Sequence, residues 1–184
     1  MTLELKRLIP QSPRAYWDRF FDLSMAYSLE HEPGNVDNIA GRLREGVMDA
    51  RRRQIEEGEK CAIIALEKVI NGIYFHGYSL FTPRKTKNSP YSSYIDELMV
   101  QDGLYSEDTE RLLIMGVAHE IRRIREKESK PQWIHMEIPI GSDNNLSFYQ
   151  RLGFEICKKQ KNQGHFLLRV PLKRILNSFE VKKR

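Results

Sequence analysis

The sequence predicts a mixed α/β fold, a single domain in which helices flank a central twisted sheet of roughly six to seven strands. Its 184 residues are enough for one domain with a substantial core. Apolar residues make up 40% and charged residues 30%, which is typical of globular proteins and excludes a disordered, collagen-like or disulfide-scaffold class. The patterns follow the order strand, two helices, three strands, helix, strand, helix and two strands. Because a helix connects the strands at 94–100 and 133–140, we expect these two to be parallel.

The beginning of the chain predicts one strand and two helices. Apolar and polar residues alternate over 3–9, and Pro10 ends this strand. Ser12 and Pro13 are typical of the start of a helix, and Gly58 is typical of a residue that ends one. The apolar face of the first helix comprises Tyr16, Phe20, Leu23 and Tyr27, and that of the second comprises Ile39, Leu43, Val47 and Ala50.

The rest of the chain predicts six further strands and two further helices. Glu67 and Lys68 separate the first two of these strands and predict a hairpin turn, and a polar loop over 82–90 follows. Gly153 is a natural stop for the last helix. The predicted strands are 61–66, 69–81, 94–100, 133–140, 154–158 and 165–172, and the predicted helices are 109–127 and 144–152.

The positive charge is concentrated at the end of the chain. Lys and Arg number 30 against 25 Asp and Glu, and nine basic residues but one acidic residue follow from Cys157 onward. A basic end can attract nucleic acid, an acidic partner or an anionic cofactor, and a solvated tail is the alternative interpretation. The sequence therefore predicts a domain over 1–172 and a basic tail over 173–184.

The sequence also favours one cellular compartment. The longest apolar run, 112–118, is far too short to span a membrane, and the first residues have no signal pattern. Cys61 and Cys157 form neither a disulfide framework nor a metal-binding spacing. A reduced, cytoplasmic protein without a metal and without membrane contact is the expectation.

Two stretches carry a resemblance to a known family. The sequence Tyr-Ile-Asp-Glu-Leu-Met-Val occupies 94–100, and Phe-Tyr-x-x-Leu-Gly-Phe occupies 148–154. They resemble the fourth strand and the late helix and turn of the GNAT superfamily of acyl-CoA-dependent N-acetyltransferases, over about 60–172 of the chain. The resemblance implies a splayed parallel strand pair, whose free backbone groups would bind the pantetheine arm of acetyl-CoA or another acyl-CoA. It also implies a helix N-terminus that binds the pyrophosphate.

The resemblance assigns cofactor contacts to the backbone of Leu98, Met99 and Val100. The sequence departs from the family in the loop after Val100, where the family's arginine falls on Tyr105 and its glycines fall on Asp108 and Glu110. Side chains at glycine positions obstruct the approach of phosphate, so an alternative is that Ser106 caps the helix and the acidic residues complement its dipole. The remaining cofactor contacts implied by the resemblance are Tyr105, Ser106, Asp108, Thr109, Glu110, Arg111, Asn144 and Phe148.

Two residues are candidates for proton transfer. Tyr149 matches the tyrosine that many GNAT enzymes use as the general acid for the departing thiolate; a core tyrosine packed beside Phe154 is the alternative. Glu97 and Asp96 face opposite sides of their strand, and Glu97 is predicted to accept the proton of the amine, directly or through water. A salt-bridged or solvated carboxylate is the alternative for Glu97. A helix cap is the alternative for Asn144.

The resemblance predicts an N-acetyltransferase that moves an acetyl group, or another acyl group, from acyl-CoA to a small-molecule or peptide amine by direct transfer. The acceptor is expected between the two N-terminal helices and the loop at 82–90. Exposed strand edges and the aromatic residues from Tyr74 to Phe81 favour a homodimer. The alternative is a GNAT-like binding or regulatory module, without productive cofactor binding, whose basic end binds nucleic acid or an acidic partner.

Overall fold

The computed structural model describes residues 2–31, 48–70, 72–84, 93–101, 106–128, 132–140, 143–160 and 164–180. These residues form seven strands and five helices. The strands are β1 (Leu3–Leu8), β2 (Cys61–Val69), β3 (Gly72–Thr82), β4 (Tyr94–Val100), β5 (Trp133–Pro139), β6 (Glu155–Gln160) and β7 (His165–Pro171). The helices are α1 (Arg14–His31), α2 (Met48–Glu56), α3 (Ser106–Ile124), α4 (Asp143–Arg151) and α5 (Leu172–Glu180).

The seven strands form one mixed sheet in the order β1-β2-β3-β4-β5-β7-β6. The β1–β2, β2–β3, β5–β7 and β6–β7 pairs are antiparallel, and β4 and β5 are parallel. A mixed sheet of seven strands flanked by helices, with the parallel pair at the helix crossover, confirms the predicted fold class. None of the helices that the structure describes has both the length and the apolar character needed to cross a membrane.

The chain divides into two compact units, and the first comprises residues 1–81 and 97–114. Its core forms where α1 packs on one face of β2 and β3. Phe20 of α1 and Tyr78 of β3 are fully buried and meet edge to face, with ring centroids 5.2 Å apart. The other buried members of this core are Leu8, Trp17, Leu23, Ile55, Ala62, Ile64, Leu66 and Leu80.

The second unit comprises residues 82–96 and 115–184 and is built on the β5–β7–β6 ladder. Ile134 and Leu168 are fully buried on adjacent strands. The guanidinium of Arg169 lies 4.7 Å from the ring centroid of Trp133, and its Nε donates a hydrogen bond of 2.7 Å to Glu155 Oε1. These contacts tie the three strands together across one face.

The predicted hairpin turn at Glu67 and Lys68 is wrong. β2 continues through both residues to Val69, which pairs with Gly72, so the strand does not end at Glu67 and Lys68. Glu67 is buried and its Oε2 lies 3.4 Å from His76 Nε2. A charged pair resembles a turn locally, but Asn-Gly at 71–72 is the stronger hairpin signal.

Helix boundaries also differ from the expectation. The predicted helix at 109–127 runs from Ser106 to Ile124, because the acidic residues that precede Thr109 belong to its first turn. In the predicted second helix, residues 48–56 are helical, and Ile39, Leu43 and Val47 lie outside the described residues.

The predicted basic tail is in large part a helix. α5 spans Leu172–Glu180 and buries apolar side chains at helical spacing, which the basic residues between them obscure in the sequence. Residues 181–184 lie outside the described part of the chain. The buried side chains of this helix are Leu172, Ile175 and Leu176.

Candidate active site

Glu97 of β4 accepts a set of buried hydrogen bonds in the first unit. Tyr78 Oη donates to its Oε2 at 2.6 Å, and Ser24 Oγ donates to the same oxygen at 3.3 Å. Arg51 Nη2 donates to Oε1 and completes an ion pair. Glu97 itself is 8% exposed. One carboxylate therefore joins side chains from α1, α2 and β3.

Tyr78 is a hydrogen-bond donor in this network. Burial, and next to it the charge of Glu97, raises the pKa of Tyr78 far above its usual range, so its phenol keeps its proton and remains a donor. A carboxylate offers about four acceptor positions, and three are taken here. The salt-bridged alternative for Glu97 is thus present in the structure, and the described residues leave one acceptor position of the carboxylate for a further donor.

Asp96, the neighbour of Glu97, has a different partner. Thr82 Oγ1 donates to Asp96 Oδ2 at 2.8 Å in the second unit. Adjacent residues of a strand point to opposite faces, so the two carboxylates point away from each other.

The pairing between β4 and its parallel partner ends before either strand does. The register between β4 and β5 joins Tyr94 with His135 and Ile95 with Met136, and among the described residues it goes no further. β4 continues to Val100, so positions 96–100 lie beyond this register. Leu98, Met99 and Val100, whose backbone was predicted to bind the cofactor, all belong to this extension and are half-buried.

Gly77 allows β3 to approach the end of β4 closely. A Cβ built at Gly77 would overlap the carbonyl oxygen of Met99 and would lie 3.0 Å from Val100 Cα and 3.3 Å from Leu113 Cδ1. The neighbouring His76 carbonyl accepts the N–H of Gln101 at 2.8 Å. The backbone at Met99 is therefore positioned by a glycine on the adjacent strand.

Gly77→Ala is expected to lower the free energy of unfolding by about 2 kcal/mol, because the new methyl group would displace the β4 backbone. Urea unfolding of the variant checks this effect. Unchanged stability would contradict the close approach.

The N-terminus of α3 carries most of the other predicted cofactor contacts. Ser106 is half-buried, and Asp108 is exposed. Thr109 is 1% exposed, and its Oγ1 has no hydrogen-bond partner among the described residues. Glu110 and Arg111 are half-buried and take part in other contacts, and Tyr105 lies outside the described residues.

Tyr149 lies on α4 in the second unit and is 5% exposed. Its ring centroid is 5.3 Å from that of Phe148 and 5.7 Å from that of Phe154, both in edge-to-face geometry. Phe148 is buried as well, and the Arg151 guanidinium lies 6.0 Å from its ring. The side chain of Asn144 lies outside what the structure describes.

The motif around Tyr149 forms a helix end of the Schellman type. The N–H of Phe154 donates to the Tyr149 carbonyl at 3.0 Å, and the N–H of Gly153 donates to the Gln150 carbonyl at 2.9 Å. Gly153 has a φ of +94°, which only glycine adopts readily. The Tyr149–Phe154 ring contact is the apolar contact that accompanies this end, so the motif fixes the position of Tyr149.

Gly153→Ala is expected to lower the free energy of unfolding by about 1 kcal/mol because of the positive φ. A Cβ there would also overlap the side chain of Arg174, which is flexible enough to move. Gly58→Ala is the matched control, since Gly58 has a φ of +76° in open space. Urea unfolding of both variants gives the comparison, and an unaffected Gly153→Ala protein would contradict the assigned helix end.

Sequence reasoning did not find the partners of Glu97. Ser24, Arg51 and Tyr78 are separated from Glu97 by 73, 46 and 19 residues, and no local pattern connects them. The available signal was Tyr78, because the phenol of a buried tyrosine needs a hydrogen-bond partner. Among the described residues, no group of three or more His, Cys, Asp or Glu side chains could hold a metal ion.

Comparisons with solved structures identify the fold. No family model matches the chain, and no curated protein is significantly similar to it. A putative acetyltransferase of the GNAT family from Desulfovibrio desulfuricans superimposes with a TM-score of 0.63 over 93% of this chain and 99% of that chain, at 14% identity. The chain has the GNAT fold.

Two further solved structures share the GNAT fold. The aminoglycoside 6'-N-acetyltransferase from Enterococcus faecium has a TM-score of 0.57 at 10% identity and covers 94% of this chain and 97% of its own. The structure of AtaTR bound with AcCoA has a TM-score of 0.57 at 17% identity, over 96% of this chain and 98% of that chain. At identities this low, the superpositions establish the fold alone, and the chemistry has to be argued from the residues of this chain.

Proposed function

We propose that the protein is an N-acetyltransferase that moves an acetyl group from acetyl-CoA to an amine by direct transfer. The supporting observation is the extension of β4 beyond its parallel register within a GNAT fold. The backbone N–H and C=O groups at Leu98–Val100 could pair with the amides of the pantetheine arm as with a further strand.

Each proton and bond of the proposed reaction has an assigned group. Glu97 takes a proton from the amine, directly or through a water at its remaining acceptor position. The amine nitrogen bonds to the thioester carbonyl carbon, and the N–H of Met99 donates to the carbonyl oxygen as it becomes negative. The carbon–sulfur bond then breaks, and Tyr149 donates its proton to the thiolate. No covalent bond to the enzyme is needed.

The N-terminus of α3 is the proposed pyrophosphate site. Free N–H groups and the helix dipole favour an anion there, while Glu107 and Asp108 oppose it. Both acidic side chains are exposed and can turn to solvent. We therefore expect cofactor binding that is weaker than with a glycine-rich loop.

The first experiment is calorimetric titration of the purified protein with acetyl-CoA and with free CoA at moderate salt. Micromolar binding followed by thiol release with an amine acceptor supports the proposal. A folded protein that binds neither ligand at millimolar concentration overturns it. A series of acyl chain lengths in the same assay decides between acetyl-CoA and a longer donor.

The homodimer and the nucleic-acid or acidic partner stay predictions. Lys173 and Arg174 are exposed on α5. The other basic side chains at the end of the chain are in part outside the described residues. Salt-sensitive binding to nucleic acid by a protein that fails to bind CoA would favour the binding module.

A further inference from the structure

Arg51 has one guanidinium nitrogen that the network around Glu97 does not use. Its Nη2 pairs with Glu97, while its Nη1 is buried and has no hydrogen-bond partner among the described residues. The side chain as a whole is 16% exposed. A buried N–H donor without a partner is unfavourable, so an oxygen atom from outside this set of residues is the expected partner.

The charge of the pair limits which oxygen this can be. The single positive charge of Arg51 is already balanced by Glu97. A second carboxylate on Arg51 would leave a net negative charge in a largely buried place, which is unfavourable. An uncharged carbonyl oxygen satisfies Nη1 without adding charge. A polycationic ligand gains little here, because the carboxylate of Glu97 is already paired.

We propose that Arg51 Nη1 binds a carbonyl oxygen of the acceptor, and that the acceptor is a primary amine with an uncharged carbonyl group on the adjacent carbon. The N-terminal residue of a peptide has this arrangement. Its amine can donate to the remaining acceptor position of Glu97 while its carbonyl oxygen accepts from Arg51. This inference rests on the proposed function, since Glu97 is the group that takes the proton of the amine.

The kinetic test compares two acceptors and two variants. Glycinamide has the adjacent carbonyl, and ethylamine lacks it. Arg51→Lys keeps the positive charge beside Glu97 but removes the second nitrogen of the planar fork. Arg52→Lys is the matched control, because Arg52 is the next residue of α2 and pairs with Glu56 on the surface.

The inference predicts a change in the KM for the acceptor that carries the carbonyl group. Arg51→Lys raises the KM for glycinamide about tenfold more than it raises the KM for ethylamine, consistent with one lost hydrogen bond, while the affinity for acetyl-CoA stays unchanged. Arg52→Lys changes none of these. Equal KM values for glycinamide in wild type and Arg51→Lys, in proteins that turn over, overturn the inference and leave the proposed function standing.

A binding measurement separates this inference from acetyl transfer. The side-chain resonances of isotope-labelled arginine, assigned with Arg51→Lys, are followed during titration with glycinamide and with ethylamine. A shift of the Arg51 signal with glycinamide alone supports the inference even if no acetyl transfer occurs. A signal that responds to neither amine means that a bound water or another part of the chain satisfies Nη1, and the inference fails.

Discussion

Tyr149→Phe is expected to lower kcat by about 10²–10⁴-fold, because it removes the proton that would pass to the thiolate. The ring is retained, and with it the edge-to-face contacts to Phe148 and Phe154. The helix end depends on backbone hydrogen bonds that the substitution does not touch. The free energy of unfolding should therefore fall by no more than about 1 kcal/mol, the contribution of one buried hydroxyl.

The comparison separates a catalytic tyrosine from a core tyrosine. Thiol release measures kcat, and urea unfolding measures stability. Tyr74→Phe is the control, since Tyr74 is 63% exposed on β3 and should change neither quantity. A folded Tyr149→Phe protein with full turnover would show that the hydroxyl only packs or hydrogen-bonds in the core.

The fold could be predicted because short-range patterns in the sequence indicate its strands and helices. The alternation over 3–9 and the β-branched and aromatic residues of β3 each depend on neighbours along the chain. The end of α4 was predictable from Gly153 alone, because a positive φ limits the choice of residue. The parallel pair followed from the helix that connects its strands.

The candidate site could be predicted only in part. Glu97 was a reasonable choice because a carboxylate in a buried strand needs a partner, but its partners come from three other elements. Gly77 is a second example. Its need for a small side chain arises from the Met99 carbonyl on the adjacent strand, which no spacing in the sequence reveals.

The end of the chain shows how charge can obscure a helix. The basic residues of 173–184 predict a tail, while Leu172, Ile175 and Leu176 repeat at helical spacing. Their burial offsets the entropy of ordering this segment. For predicting structure, apolar residues at helical spacing are therefore more informative than the average composition of the segment.

Glu97→Gln is expected to lower the free energy of unfolding by about 3 kcal/mol, because it leaves the charge of Arg51 uncompensated in a largely buried place. Arg51→Met should have a similar effect by leaving the carboxylate unpaired. The double variant should be less destabilised than the sum of the two by about 1–3 kcal/mol, since removing both charges removes the conflict.

Urea unfolding of the four proteins measures this coupling, and Tyr78→Phe supplies the comparison. It removes a neutral donor to Glu97 and keeps both charges, so its effect should be nearer to about 1 kcal/mol. Additive effects of Glu97→Gln and Arg51→Met would mean that solvent screens the pair. In that case Glu97 would not be a buried carboxylate held by Arg51, and the geometry proposed for its exchange of a proton with the amine would lose its support.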